Sequence, residues 1–454
     1  MKTAALAVVV ASILIVTGCS SGAAPAATSA PPSAEAASGE IEVMVRHTIG
    51  SDTAALFDQM ALNFTKATGV KVKVFRPQPS DFNTVLQQRA VLKNLPDVII
   101  NDAGQLGAFM DAGYVREVDK SKIPNSKLIL GNAWKPATSL DGKIFAVPYD
   151  AQASALTIRK DWREKLKLPV PKTWADLAAL SKAFTTEDPD GNGQADTFGL
   201  AAPLTSKNGY AGWYSLSFIW SNGGNVVKNK ADGSWVPSMT DPKTVSAVKW
   251  LRGQVCDAKT LMPGAVSMDS GASAQSFQAG QTGLYVIGPY QMSTWDVNPG
   301  KDTYEVVPFP AGPDGNGKTQ VLAEGKNIYL TNGSKNEAGQ NAFANYAVSQ
   351  PAQEQMMGLH GERPDVNISV NTKIDNAAVR GDDPRWGTYA DQYANDSRYV
   401  PNLVSWPTIR QDLGDTLNAV FADCSLNLND RLSQLNDTLK PLLAKELPMK
   451  KSSK

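Results

Sequence analysis

Arg46 and His47 follow an alternating run, residues 41–45, and Asn101 and Asp102 follow an apolar run, 97–100, that suits a strand buried on both faces. Tyr149, Asp150 and Gln152 stand between two more strand-like runs, 145–148 and 155–158. Guanidinium, imidazole, amide and carboxylate groups at strand ends are hydrogen-bonding chemistry. In a parallel α/β sheet they would line a ligand-holding rim beyond the carboxyl ends of the strands. Arg363, in the stretch 361–365, is a further polar candidate. Asp102 and Asp150 could alternatively form the carboxylate pair of a surface glycoside hydrolase, which needs its two groups about 5 to 9.5 Å apart and one pKa raised. Nothing in the sequence raises either pKa. The plain alternative for each polar candidate is a solvated loop residue.

A second constellation runs through residues 188–196. Asp188, Asp190, Asn192, Gln194 and Asp196 alternate, with Gly193 at the sixth position, which is the oxygen-ligand spacing of an EF-hand-type Ca2+ loop. Position twelve is Gly199, so the bidentate carboxylate would have to come from elsewhere in the chain. The loop reads as a structural Ca2+ site or as a polar turn, and no other cofactor is expected.

Composition closes other routes. Lys plus Arg and Asp plus Glu both number 44, with no basic block, which removes the footprint a nucleic-acid binder needs. Two His and three Cys leave too few soft ligands for a zinc cluster and no partner for a thiol- or His-based triad.

The elements that must position these residues are legible from periodicity. Residues 52–68 carry Leu56, Met60 and Phe64 at helical spacing and stop at Gly69, Val70, Val72 and Val74 alternate, and a helix follows over 81–92. The first hundred residues thus predict a parallel α/β sheet. Residues 172–184 predict a helix capped by Thr173 with Asp176 three positions on. Strands are expected at 283–287, 304–309 and 327–330, and helices from 337 on, including 406–421 and 426–443. Trp162, Trp174 and Trp250 fall on helices and are assigned to packing.

At the start, Lys2 precedes an uncharged run of about 15 residues, shorter than the roughly 20 that cross a bilayer, and then Gly18 and Cys19. This reads as a signal peptide over residues 1–18. Residues 16–19 resemble the bacterial lipobox, whose Cys is diacylated and becomes the new N-terminus. Cys19 is therefore the expected lipidation site, and residues 19–39, rich in Ala, Ser and Pro, the expected anchor and disordered linker on the outer face of the cell membrane. The alternative is a secreted protein cut near Ala24 or Ala27. In that oxidising compartment Cys256 and Cys424 remain, as a disulfide or as two buried thiols.

Several segments in order, among them 95–119, 141–180, 220–227 (WSNGGNVV), 279–295 (AGQTGLYVIGPYQMSTW) and 322–330 (LAEGKNIYL), resemble the extracellular solute-binding proteins of carbohydrate ABC importers, the maltose-binding-like family. The match covers nearly all of 40–445. The resemblance implies an α/β, two-lobed periplasmic-binding-protein fold, mainly parallel sheets flanked by helices, with hinge crossings near 151, 311–319 and 348–350. A first lobe of 40–150 plus 320–348 and a second of 151–319 plus 349–446 would follow. It also implies a monomer that grips a sugar or oligosaccharide between the lobes without catalysis and delivers it to a membrane permease. By family position Trp213, Tyr214 and Trp406 are ring-stacking candidates. So is Tyr290, where relatives usually carry Trp. The competing readings are the hydrolase above and the same fold holding a non-sugar such as iron or a polyamine. Iron binders favour adjacent tyrosines and polyamine binders several cleft acids.

Overall fold

The computed structural model describes residues 37–448, apart from 48, 79–80 and 359–362. The expected signal peptide, Cys19 and most of the linker lie outside the described residues.

Ile41, Val43 and Val45 alternate with Glu40, Glu42 and the buried Met44 in β1 (Glu40–Val45). Helix α1 (Asp52–Thr68) follows with the bounds read from sequence. Ser51 caps it by accepting from Ala54 N, its buried stripe is Phe57, Met60 and Phe64, and Gly69 ends it at φ 79°. β2 (Lys71–Phe75), α2 (Phe82–Val91), β3 (Val98–Asp102) and the short α3 (Leu106–Asp111) complete the unit, with β2 and β3 both parallel to β1. Further along, β13 (Lys326–Leu330) joins β3 antiparallel and β4 (Val147–Pro148) closes the sheet, so the order is β2-β1-β3-β13-β4.

The second lobe is built on β6 (Ala155–Arg159), β7 (Phe198–Ala201), β10 (Thr282–Ile287) and β11 (Tyr304–Val307), in the order β11-β6-β10-β7. β6 is antiparallel to both its neighbours, so this sheet is mixed. β8 (Val227–Asn229) and β9 (Trp235–Pro237) pair separately. Thr173 and Asp176 form the expected capping box on the helix Trp174–Thr186. Trp162 and Trp174 are buried, and Trp174 packs its ring 4.9 Å from that of Trp250. Cys256, ending the helix Pro242–Cys256, is bonded to Cys424 with 5.8 Å between Cα atoms, so the two cysteines form a bridge rather than two thiols. It staples that helix to the turn between the helices Trp406–Ala422 and Leu428–Leu443.

A third sheet stands where the chain passes between lobes: β14 (Ile368–Ser369), β5 (Asp150–Ala153), β12 (Val321–Glu324) and β15 (Ser397–Arg398), in that order. β5 runs directly from β4 into β6, and β12 returns antiparallel to it and leads into β13. Two expected crossings differ. Residues 311–319 form a turn against Ser221 and Asn222, so the crossing itself is β12. Residues 348–350 cross nothing. Pro351 occupies the first turn of the helix Gln350–Met356, which packs on α1 in the first lobe together with the helix Glu337–Ala347. Buried Gln353 holds it there, donating to the carbonyls of Tyr149 at 2.9 Å and Ala347 at 3.0 Å. The helix Gln350–Met356 and residues 363–365, expected in the second lobe, therefore pack with the first.

Candidate functional site

Strand ends deliver two groups of side chains to the crossing sheet. The first group is buried. The carboxylate of Asp365 accepts from Tyr149 OH at 2.7 Å, meets His47 Nε2 at 2.9 Å, and is contacted by Lys326 Nζ. Lys326 Nζ also donates to the Asp365 carbonyl at 2.5 Å, and its backbone N donates to Asp150 Oδ1 at 2.5 Å. Asn367 Nδ2 donates to Asp150 Oδ2 at 3.2 Å. Burial opposes the charge of Asp365, but His47 and Lys326 hold its pKa well below the usual carboxylate range. Burial pushes Asp150 up to about 6 against the pull of Lys326, with the charge of Asp365 adding to the rise. His47, Tyr149 and Asp150, expected at a ligand rim, are thus committed to one another's partners in the hinge.

The second group faces the seam between the lobes. Glu324, at the end of β12, is the cross-strand partner of Gln152 on β5. Trp213 Nε1 donates to Glu324 Oε1 at 2.8 Å and Gln152 Nε2 to Glu324 Oε2 at 3.4 Å. Tyr210 packs edge-on to Trp213, ring centres 6.0 Å apart, and lies within electrostatic reach of Arg410, Asp269, Arg46 and Glu324. Tyr290 follows the turn at Gly288, where a Cβ would meet both the Tyr290 ring and Gln152, and its hydroxyl lies 3.1 Å from Ser270 Oγ. Burial raises the Tyr210 and Tyr290 pKa values, so both hydroxyls stay neutral. From the first lobe, half-exposed Arg46 and Asp102 form an ion pair at 2.9 Å.

The structure therefore brings together Arg46, Asp102, Gln152, Trp213 and Tyr290, and adds Glu324, Tyr210 and Arg410. Four expected ligand residues stand apart. Asn101, on the opposite face of β3 from Asp102, is buried with its amide toward Asn83 on α2. Tyr214 is core: its hydroxyl donates to Ala201 O at 3.1 Å and its ring packs on Phe218 and Tyr285. Trp406, 5% exposed, belongs to the hydrophobic core. Arg363 is exposed, its carbonyl accepting from Thr53 Oγ1 at 3.2 Å at the start of α1. In the 188–196 loop Asp188 accepts from Gly191 N and Gly193 N, Asn192 Nδ2 lies between Asp190 and Asp196, and Gln194 N donates to Asn192. Among the described residues no three His, Cys, Asp or Glu side chains gather as a metal would need.

Polar groups and rings converging where two α/β lobes meet make the arrangement of a ligand-binding protein. The chain belongs to the family of bacterial extracellular solute-binding proteins, which matches residues 59–381. It is 27% identical over 355 residues to the fructooligosaccharide ABC transporter substrate-binding protein FusA of Streptococcus pneumoniae, covering 72% of this chain and 59% of FusA. It is 34% identical over 119 residues to the polygalacturonan/rhamnogalacturonan-binding protein YtcQ of Bacillus subtilis, 26% of this chain and 23% of YtcQ. The chain spans between 23% and 59% of the length of the first curated relatives it matches. Among solved structures, the GacH receptor of Streptomyces glaucescens superposes with a TM-score of 0.76 at 20% identity, covering 90% of this chain and 99% of that one. Maltose-bound MalE3 of T. maritima gives 0.72 at 18%, covering 89% and 100%. At these identities the likeness is one of fold.

Proposed function

We propose that this protein is a lipid-anchored receptor that binds a sugar or oligosaccharide between its lobes and delivers it to the permease of an ABC importer. One observation carries the reading: ring faces of Tyr210, Trp213 and Tyr290 stand beside the hydrogen-bonding edges of Gln152, Glu324, Arg410, Arg46 and Asp102 at the hinge seam. Sugars offer apolar C–H faces and hydroxyl rims, and that pairing of surfaces matches them. Relatives named for fructooligosaccharide and polygalacturonan binding support it. The hydrolase alternative loses its carboxylate pair, because Asp150 is enclosed by Lys326 and Asn367 and its side chain is 1% exposed. Calorimetric titration of the mature protein with maltotriose, kestose and digalacturonate tests the proposal. Saturable binding without release of reducing ends supports it, and no binding across a wider saccharide panel would refute it. The anchor is tested by Cys19→Ala, which should free the protein from membranes.

A further inference from the structure

The Glu324 side chain joins both crossing strands to the second lobe's aromatic wall. Its carboxylate divides its two oxygens between Trp213, on the helix Tyr210–Ser221, and Gln152, its register partner on β5. The backbone behind it is fixed: Gly325 has φ 152°, and a Cβ there would fall 2.2 Å from the carbonyl oxygen of Asp150. The carboxylate therefore cannot slide along the strand.

The groups facing it are Arg410 from the helix Trp406–Ala422, Asp102 from β3, and the hydroxyls of Tyr210, Tyr290 and Tyr399. Arg410 is the counter-charge acting on it, yet no hydrogen bond joins it to Glu324, and its buried Nε has no partner among the described residues. A carboxylate with a guanidinium in reach that instead engages two neutral N–H donors is acting as an orienter. A hydrogen bond at Nε1 fixes the plane of an indole that would otherwise rotate about two side-chain torsions, and a binding surface fixed in advance loses less entropy on binding.

We propose that Glu324 is a positioning residue of the cleft, which from the hinge strand sets the planes of Trp213 and Gln152 so that the gripping side chains move as one with the hinge. The proposal deepens the sugar-binding reading and rests on it only for the second of two tests.

The first test needs no ligand. The Trp213 part of the emission is obtained by subtracting Trp213→Phe backgrounds, and its quenching by acrylamide is followed in the full chain. Glu324→Ala should make that part several-fold more quenchable. Glu324→Gln, whose amide oxygen still accepts the indole N–H, should match wild type at neutral pH. Quenching in Glu324→Ala equal to wild type, or in Glu324→Gln as high as in Glu324→Ala, overturns the proposal. In the second test, Glu324→Ala should bind whichever of maltotriose, kestose or digalacturonate binds wild type about tenfold more weakly, and Glu324→Gln within about threefold. Equal affinity in all three proteins also overturns it. If none of the sugars binds wild type, the functional reading fails while the quenching result still decides the role of Glu324.

Discussion

Carboxylates removed from water need company, and Asp365 and Asp150 at the hinge find it in opposite ways. Asp365 is satisfied by His47, Lys326 and Tyr149, so replacing it with Ala would leave a buried imidazole and a buried hydroxyl without their partner and remove the charge that faces the Lys326 ammonium. Asp365→Ala should lower stability by about 3 to 5 kcal/mol in urea denaturation, and a loss under 1 kcal/mol would contradict the network. The pH dependence follows with opposite signs. The depressed pKa of Asp365 gives stability that is present above the ordinary carboxylate value and lost as pH falls below it, whereas Asp150, raised to about 6, gives stability that declines as pH rises from about 4 through 6. Stability should therefore peak in weak acid, and Asp150→Asn should flatten the upper slope. For Trp213, truncation to Ala should weaken sugar binding by about 1 to 3 kcal/mol, and unchanged affinity would remove it from the site.

At the scale of elements, the second lobe's helices are tied by a covalent staple. The bridge between Cys256 and Cys424 spans 168 residues of sequence, and Arg252 reinforces the same junction by donating to the Cys424 carbonyl at 2.6 Å. Loop-closure arithmetic gives about 5 kcal/mol for a bridge of this length. Reduction should therefore lower the melting temperature markedly while leaving sugar affinity at low temperature near wild type, because neither Cys256 nor Cys424 takes part in the seam contacts described above. Loss of affinity in parallel with loss of the bridge would place the staple in the binding machinery instead.

For the whole molecule the decisive question is how the lobes meet. Gly107 in α3 lies so close to the segment after β15 that a Cβ would come within 2.5 Å of the Leu403 carbonyl oxygen, and Asn402 reaches across to the carbonyls of Lys135 at 3.0 Å and Thr138 at 2.7 Å. Backbone cannot yield as a flexible side chain can. Gly107→Ala, favourable for helix propensity, should nevertheless force this contact apart, giving a larger radius of gyration in solution scattering and weaker ligand binding. An unchanged scattering profile would show that the contact is not part of closure.

Local periodicity was enough to determine α1, the first three strands, the capped helix at Thr173 and the two late helices, because each is set by spacing and caps within a few residues. It also placed Arg46, Asp102 and Gln152 at strand ends that do meet. Sequence could not separate Asp150 from Asp102, or Tyr214 from Trp213, since adjacent or similar residues diverge only when the neighbouring element takes a face: Tyr214 turned to the core, Trp213 to the hinge. Glu324 gave no local signal at all. Its role exists because β12 returns beside β5 from 172 residues away, and no pattern along one strand records which partner it will meet across the sheet.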